Sequence, residues 1–188
     1  MVVDQTTPES RQLAVEALLK LTELPGGQLR ELIIGFSGEN PLFYAGTELV
    51  HAVCEIIRQP NLAQLQLVDL HGLHVKLTDE FLYLLAHKHS STLRYLDLQN
   101  QQMICLITPH CLLHAIQSCE MLQELRVYYA SFSDDCLQAL ANLQSGRRPL
   151  KVLSLLCSAQ DKYRGDVERF DQVDLTNEQW AHFKHFSK

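Results

Sequence analysis

Aliphatic residues recur at the first, fourth and sixth places of short stretches along the chain. Leu29, Leu32 and Ile34 form the first such stretch, and Leu62, Leu65 and Leu67 the second. Leu93, Leu96 and Leu98 form the third, Leu122, Leu125 and Val127 the fourth, and Leu150, Leu153 and Leu155 the fifth. Their starts are separated by 33, 31, 29 and 28 residues. A plain half-buried strand alternates with a period of two. The pattern here fits instead a strand whose first leucine enters from a turn while the next two point inward. Strands are therefore predicted near residues 30–35, 63–68, 94–99, 123–128 and 151–156.

Helical spacing follows the first four stretches. Thr47 to Ile57, Thr78 to His87, Thr108 to Ser118 and Ser133 to Leu143 all place apolar residues three and four apart. Thr78, Thr108 and Ser133 stand where a hydroxyl can cap a helix N-terminus. Acids follow Thr78 and Ser133, and Pro109 follows Thr108. Ser10 to Leu24 reads as one more helix, ended by Pro25, and as the helix of a repeat whose strand is absent. Thr176 and Gln179 fit a capping box that opens a terminal helix. One strand–helix unit cannot bury both its leucine row and its helix face, so the units must stack in series. The fold class is thus α/β, with strands parallel in one sheet and all helices on the opposite side. Residues 1–188 form one domain of about five repeats: a leading helix at 10–28, repeats over 29–156, a charged loop at 157–175 and a terminal helix at 176–188.

Composition narrows this further. Leucine occurs 34 times while aromatics make up only 7%, so leucine carries the packing. The formal charge is −6, against a general nucleic-acid binder, which needs clustered Lys and Arg. No apolar run approaches the ~18 residues of a membrane span. The start of the chain lacks a basic and then apolar leader. The 6 cysteines include no CxxC pair, and several sit in leucine-rich runs. Free, mostly buried thiols are expected at Cys105, Cys111, Cys119 and Cys136, in a reducing cytoplasmic or nuclear compartment.

These stretches resemble leucine-rich repeats (LRRs), in particular the cysteine-containing subtype of F-box/LRR proteins. The likeness is strongest from Leu65 through Leu77, Thr78 and Asp79 to Ala86. It recurs from Phe132 to Ala141 and from Ile107 to Leu122, where Cys119 precedes the next strand. It covers roughly residues 10–186. The chain departs from the family at the ninth position of each unit, normally Asn or Cys, which holds Ser37, Leu70, Gln101, Ala130 and Ser158. The side-chain ladder between turns is therefore expected to be weak. No LPxE-type F-box segment stands near the N-terminus. The resemblance implies a short LRR solenoid arc, concave on its sheet side, taken from or related to a longer F-box/LRR-like protein. It implies a protein-interaction module, with substrate recognition for a ubiquitin ligase as the context, rather than an enzyme.

In such an arc the third, fifth and seventh residues of each unit face the concave side. They read Glu31/Ile33/Gly35, Gln64/Gln66/Val68, Tyr95/Asp97/Gln99, Glu124/Arg126/Tyr128 and Val152/Ser154/Leu156. Tyr95, Asp97, Gln99, Glu124, Arg126 and Tyr128 are the candidate partner-binding residues. Tyr and Arg are favoured at binding hot spots, although any exposed sheet face must also be polar. Asp97 and Arg126 are expected side by side. The expected partner is a protein on the concave face, with no nucleic acid or membrane, and the chain is expected to be monomeric on its own. The 157–175 loop reads either as a binding element or as disordered, and Trp180 as an end cap.

Other constellations carry less. His110 and His114 fall one helical turn apart around Cys111, but no further ligand follows at a zinc-like spacing, so no metal or cofactor is expected. His71, His74, His87 and His89 would be the groups of a loop-based enzyme, the opposing function class. His87 and His89 sit near a predicted helix C-terminus, where a cation is favoured. No P-loop, GxGxxG, GxSxG or HExxH motif is present.

Overall fold

A computed structural model of the chain describes residues 2–3, 8–20, 23, 29–36, 46–59, 64–70, 76–99, 106–128, 131–143 and 150–156. The 157–175 loop, the 176–188 helix with Trp180, Cys105, Cys157, His71 and His74 lie outside the described residues. Within them, strand β1 (Val2–Val3) leads to helix α1 (Pro8–Lys20), then β2 (Glu31–Ile33), β3 (Gly35–Phe36) and α2 (Gly46–Arg58). Strand and helix then alternate through β4 (Leu67–Asp69), α3 (Asp79–His89), β5 (Tyr95–Asp97), α4 (Pro109–Ser118), β6 (Glu124–Tyr128), α5 (Asp134–Leu143) and β7 (Val152–Leu156).

Strands β2, β4, β5, β6 and β7 form one sheet in that order, every neighbouring pair parallel. The helices stack in the same order, each packed on the next from α1 to α5. The architecture is α/β with a five-stranded parallel sheet, as the repeat pattern requires. Four helices fall within a residue or two of their predicted bounds, because the apolar spacing and the cap residues agree. Thr108 and Ser133 each accept the backbone N–H of the residue three places on, Cys111 and Cys136, at 3.3 Å. Thr78 has the extended N-cap backbone but makes no such side-chain bond.

Three expectations are corrected. The second repeat frame is displaced by three residues. Leu67 pairs with Glu31 and Tyr95, and Val68 with Leu32 and Leu96. The inward triad is therefore Leu65, Val68 and Leu70, all fully buried, while Leu67 faces outward and is only partly covered. The stretch from Leu62 to Leu70 offers two overlapping leucine frames, and burial of Val68 with Leu70 selects the later one. The strand is 67–69 rather than 63–68, and Leu70 is an inward sixth residue, not a ninth. The leading helix starts two residues earlier, with Pro8 inside its first turn, and is described over Pro8–Lys20. Its unit also has a strand: Val2 and Val3 pair in parallel with Gly35 and Phe36.

The inward rows and the helix faces form one core. Leu32, Leu65, Leu93, Leu96, Leu125 and Leu150 from the sheet side meet Ile56, Phe81, Leu82, Leu112 and Leu137 from the helices. Each such side chain stabilises the fold by roughly 1.5–3 kcal/mol relative to exposure. The thiols of Cys54, Cys111, Cys119 and Cys136 are free and buried in this layer, as expected for three of them. Cys111 and Cys136 occupy the same turn of successive helices, and each places its sulfur by a backbone carbonyl of the preceding helix, Asp79 at 3.5 Å and Pro109 at 3.6 Å.

Candidate recognition surface on the sheet

Parallel pairing sets the surface. Residues at equal positions of neighbouring repeats become lateral neighbours about 4.8 Å apart. One ladder runs Glu31, Leu67, Tyr95, Glu124, Val152, and the next runs Ile33, Asp69, Asp97, Arg126, Ser154. With the frame corrected, Leu67 and Asp69 stand where Gln64 and Gln66 were expected. Asp97 and Arg126 are register partners, as the repeat arithmetic predicted.

The centre of the face is a small polar network. The Tyr95 hydroxyl donates to Asp97 Oδ2 at 3.3 Å, and the Gln99 backbone N–H donates to Asp97 Oδ1 at 2.9 Å. Arg126 Nε lies 3.9 Å from Asp97 Oδ2, and Nη2 lies 3.9 Å from Glu124 Oε2. At these distances the contacts are charge attraction without a hydrogen bond, and Arg126 Nε has no hydrogen-bond partner. The guanidinium also sits 5.9 Å from the Tyr95 ring centroid, within cation–π range. Burial, together with the nearby Asp97 and Asp69 carboxylates, pushes the Tyr95 hydroxyl up to about 12.

The six candidate residues thus separate into two groups. Tyr95, Glu124 and Arg126 are half-buried and present atoms to the outside. Asp97 at 4%, Gln99 at 7% and Tyr128 at 7% exposure are buried. Asp97 holds its neighbours in place. The Gln99 amide nitrogen donates to the Val127 carbonyl at 3.1 Å and to the Ser154 carbonyl at 2.9 Å, tying three strands together. A side-chain tie between repeats therefore exists at the seventh position of this unit. A second tie lies at the helix starts, where the Asp79 carboxylate accepts from Thr108 N at 2.7 Å and Thr108 Oγ1 at 2.8 Å. The sequence signal for it was the recurrence of Thr78-Asp79 and Thr108-Pro109 at equal repeat positions.

The histidines do not assemble. His87 is exposed, whereas His89 is buried, and burial lowers its pKa. Both lie in the last turn of α3, as expected, and burial of His89 opposes its charging there. The His114 ring lies 5.0 Å from that of Tyr83 on the neighbouring helix, tilted by 57°. Among the described residues, no three His, Cys, Asp or Glu side chains converge as metal ligands. A cavity of about 430 Å³ on the helix side is lined by Glu48, His51, Cys54, Lys76 and Glu80, among others. Burial raises the Cys54 thiol above its ordinary value, which disfavours the thiolate a nucleophile requires.

No protein-family model matches the chain. Over 175 residues, 92% of this chain, it is 34% identical to F-box/LRR-repeat protein 8 of Homo sapiens. The proteins of the same name from Mus musculus and Bos taurus are 33% and 32% identical over the same length. This chain is related to the F-box/LRR-repeat proteins. It spans 42% of the length of these curated relatives. The F-box/LRR relationship agrees with the repeat found in the sequence and with the parallel strand–helix stack. No described helix is long and apolar enough to cross a membrane.

Proposed function

We propose that the chain is a protein-recognition module: a single-domain leucine-rich-repeat arc whose outer sheet face is concave and binds a protein partner. The observation that carries this reading is the Tyr95, Asp97, Arg126, Glu124 network in the middle of the sheet. Arg126 helps balance the buried Asp97 carboxylate, yet its side chain stays 37% exposed and, with Tyr95 and Glu124, presents charged and aromatic groups to the outside. Tyr95, Glu124 and Arg126 form the contact surface; Asp97, Gln99 and Tyr128 hold it in shape. The F-box/LRR relationship supports substrate recognition in an intracellular ubiquitin-ligase context. The module acts as a monomer by binding rather than catalysis, without metal or cofactor, and its partner is neither nucleic acid nor membrane.

The test is an affinity pull-down with the tagged chain and its Tyr95→Ala/Arg126→Ala variant. The variant should melt within a few degrees of the parent and lose bound partners, with a loss of about 2 kcal/mol or more for a direct partner. A variant that keeps every partner would remove this face as the recognition site.

A further inference from the structure

A second ladder lies one residue before the proposed contact surface. Arg30, Gln66, Arg94, Gln123 and Lys151 are the second residues of the five units, each directly preceding the lateral row that begins with Glu31. Their alignment is fixed by the backbone. The Arg30 carbonyl accepts from Gln66 N at 2.7 Å and the Gln66 carbonyl from Arg94 N at 2.7 Å. The Arg94 carbonyl accepts from Gln123 N at 2.8 Å, and the Gln123 carbonyl from Lys151 N. The row thus runs straight across the starts of all five strands. Arg30, Arg94 and Lys151 are exposed, and the intervening glutamines are half-buried.

The chemistry of this row is uniform. All five side chains carry N–H donors and none carries a carboxylate, in a chain whose net charge is −6. Arg30, Arg94 and Lys151 make no ion pair with another described residue. The cations stand on alternate strands, about 10 Å apart. The helix dipole does not account for them, because it acts within the last turn of a helix. Each lies five or more residues past the helix before it, which end at Lys20, His89 and Leu143.

We propose that this row is a docking track for an acidic, extended peptide segment of a partner protein, laid across the strand starts. Carboxylates of the segment meet Arg30, Arg94 and Lys151, and Gln66 and Gln123 donate to its backbone or side-chain oxygens. The next row holds Glu31 and Glu124. Those carboxylates bound the row on one side, so the acids of the segment must fall on the cation row itself. The track goes beyond the concave-face reading, and its cations Arg30, Arg94 and Lys151 are not contact residues of that reading, so either can fail alone.

The test is an NMR titration of the ¹⁵N-labelled full chain with three probes: a short peptide of alternating glutamate and serine, the same peptide with arginine for glutamate, and a single-stranded oligodeoxynucleotide of matching charge. The glutamate peptide should shift the amides of Arg30, Gln66, Arg94, Gln123 and Lys151, and its binding should weaken with salt. The triple variant Arg30→Gln, Arg94→Gln, Lys151→Gln should keep its melting temperature and bind the peptide about tenfold more weakly, as loss of three exposed charge contacts implies. Absence of shifts along the row, equal binding by the variant, or tighter engagement of the arginine peptide or the oligonucleotide there would each overturn the proposal.

Discussion

The side-chain amide of Gln99 reaches past its neighbouring strand to donate to the Ser154 carbonyl at 2.9 Å, while also lying 3.1 Å from the Val127 carbonyl. Ser154 Oγ lies 3.0 Å from the same nitrogen. One buried residue thus fastens β5 to both β6 and β7. Gln99→Leu keeps similar volume but leaves those acceptors without the amide. It should lower stability by roughly 1–3 kcal/mol, the cost of buried groups left unsatisfied. Urea denaturation measures this; a loss below about 0.5 kcal/mol would mean that the tie contributes little.

Gln99 also shows what the sequence could and could not convey. Its placement on the outer sheet row follows from counting along the repeat, and so does the pairing of Asp97 with Arg126. Neither count reveals that Gln99 turns along the sheet and becomes buried, because that depends on the length of the side chain and on which carbonyls lie within reach. The second repeat was misread for a related reason. Leucine at residues 62, 65, 67 and 70 satisfies two frames, and only packing against neighbouring strands selects one. Helices α2 to α5 are legible to within a residue or two, since cap and periodicity signals coincide there. The Val2–Val3 strand is too short to register as a pattern.

The Asp79–Thr108 link joins the starts of α3 and α4. Asp79 also sits in the first turn of α3, where a negative charge is favoured. Asp79→Ala removes both contributions and should destabilise by about 1–2 kcal/mol. Asp79→Asn, which retains one carbonyl acceptor, should lose less. Thermal melts of the two variants, with equal losses for both, would contradict the assignment.

The thiols give a chemical readout of the core. Burial pushes Cys119 up to about 12, and burial with the neighbouring Asp79 does the same for Cys111. Burial also raises Cys54 and Cys136. Since the thiolate is the reactive species, these four should react slowly with a disulfide reagent at pH 8 in the native protein. After denaturation without reductant, all 6 cysteines should titrate. A denatured count of two or fewer would refute the free-thiol reading.

His89 supplies the pH dependence. Its ring is 1% exposed at the end of α3, and burial is the main cause that lowers its pKa from 6.5. The Ile57 carbonyl favours the protonated ring, and the charge of Lys88 disfavours it, but neither offsets burial. The backbone carbonyl of His89 accepts from Leu93 N at 2.8 Å and from Thr92 N at 3.0 Å in the turn into β5. In the unfolded chain the ring takes up a proton as the pH drops through 6.5; in the folded chain it resists until a lower pH. Between those values the unfolded state binds more protons, so stability rises with pH. The contribution of His89 is therefore complete above about pH 6.5 and is lost progressively as the pH falls through the folded value. Denaturation midpoints measured from pH 7.5 down to about pH 5, above the range where most carboxylates titrate, should decline for the parent. They should stay flatter for His89→Leu, which keeps an apolar side chain at the site. If both proteins decline with the same slope, His89 is not the group responsible.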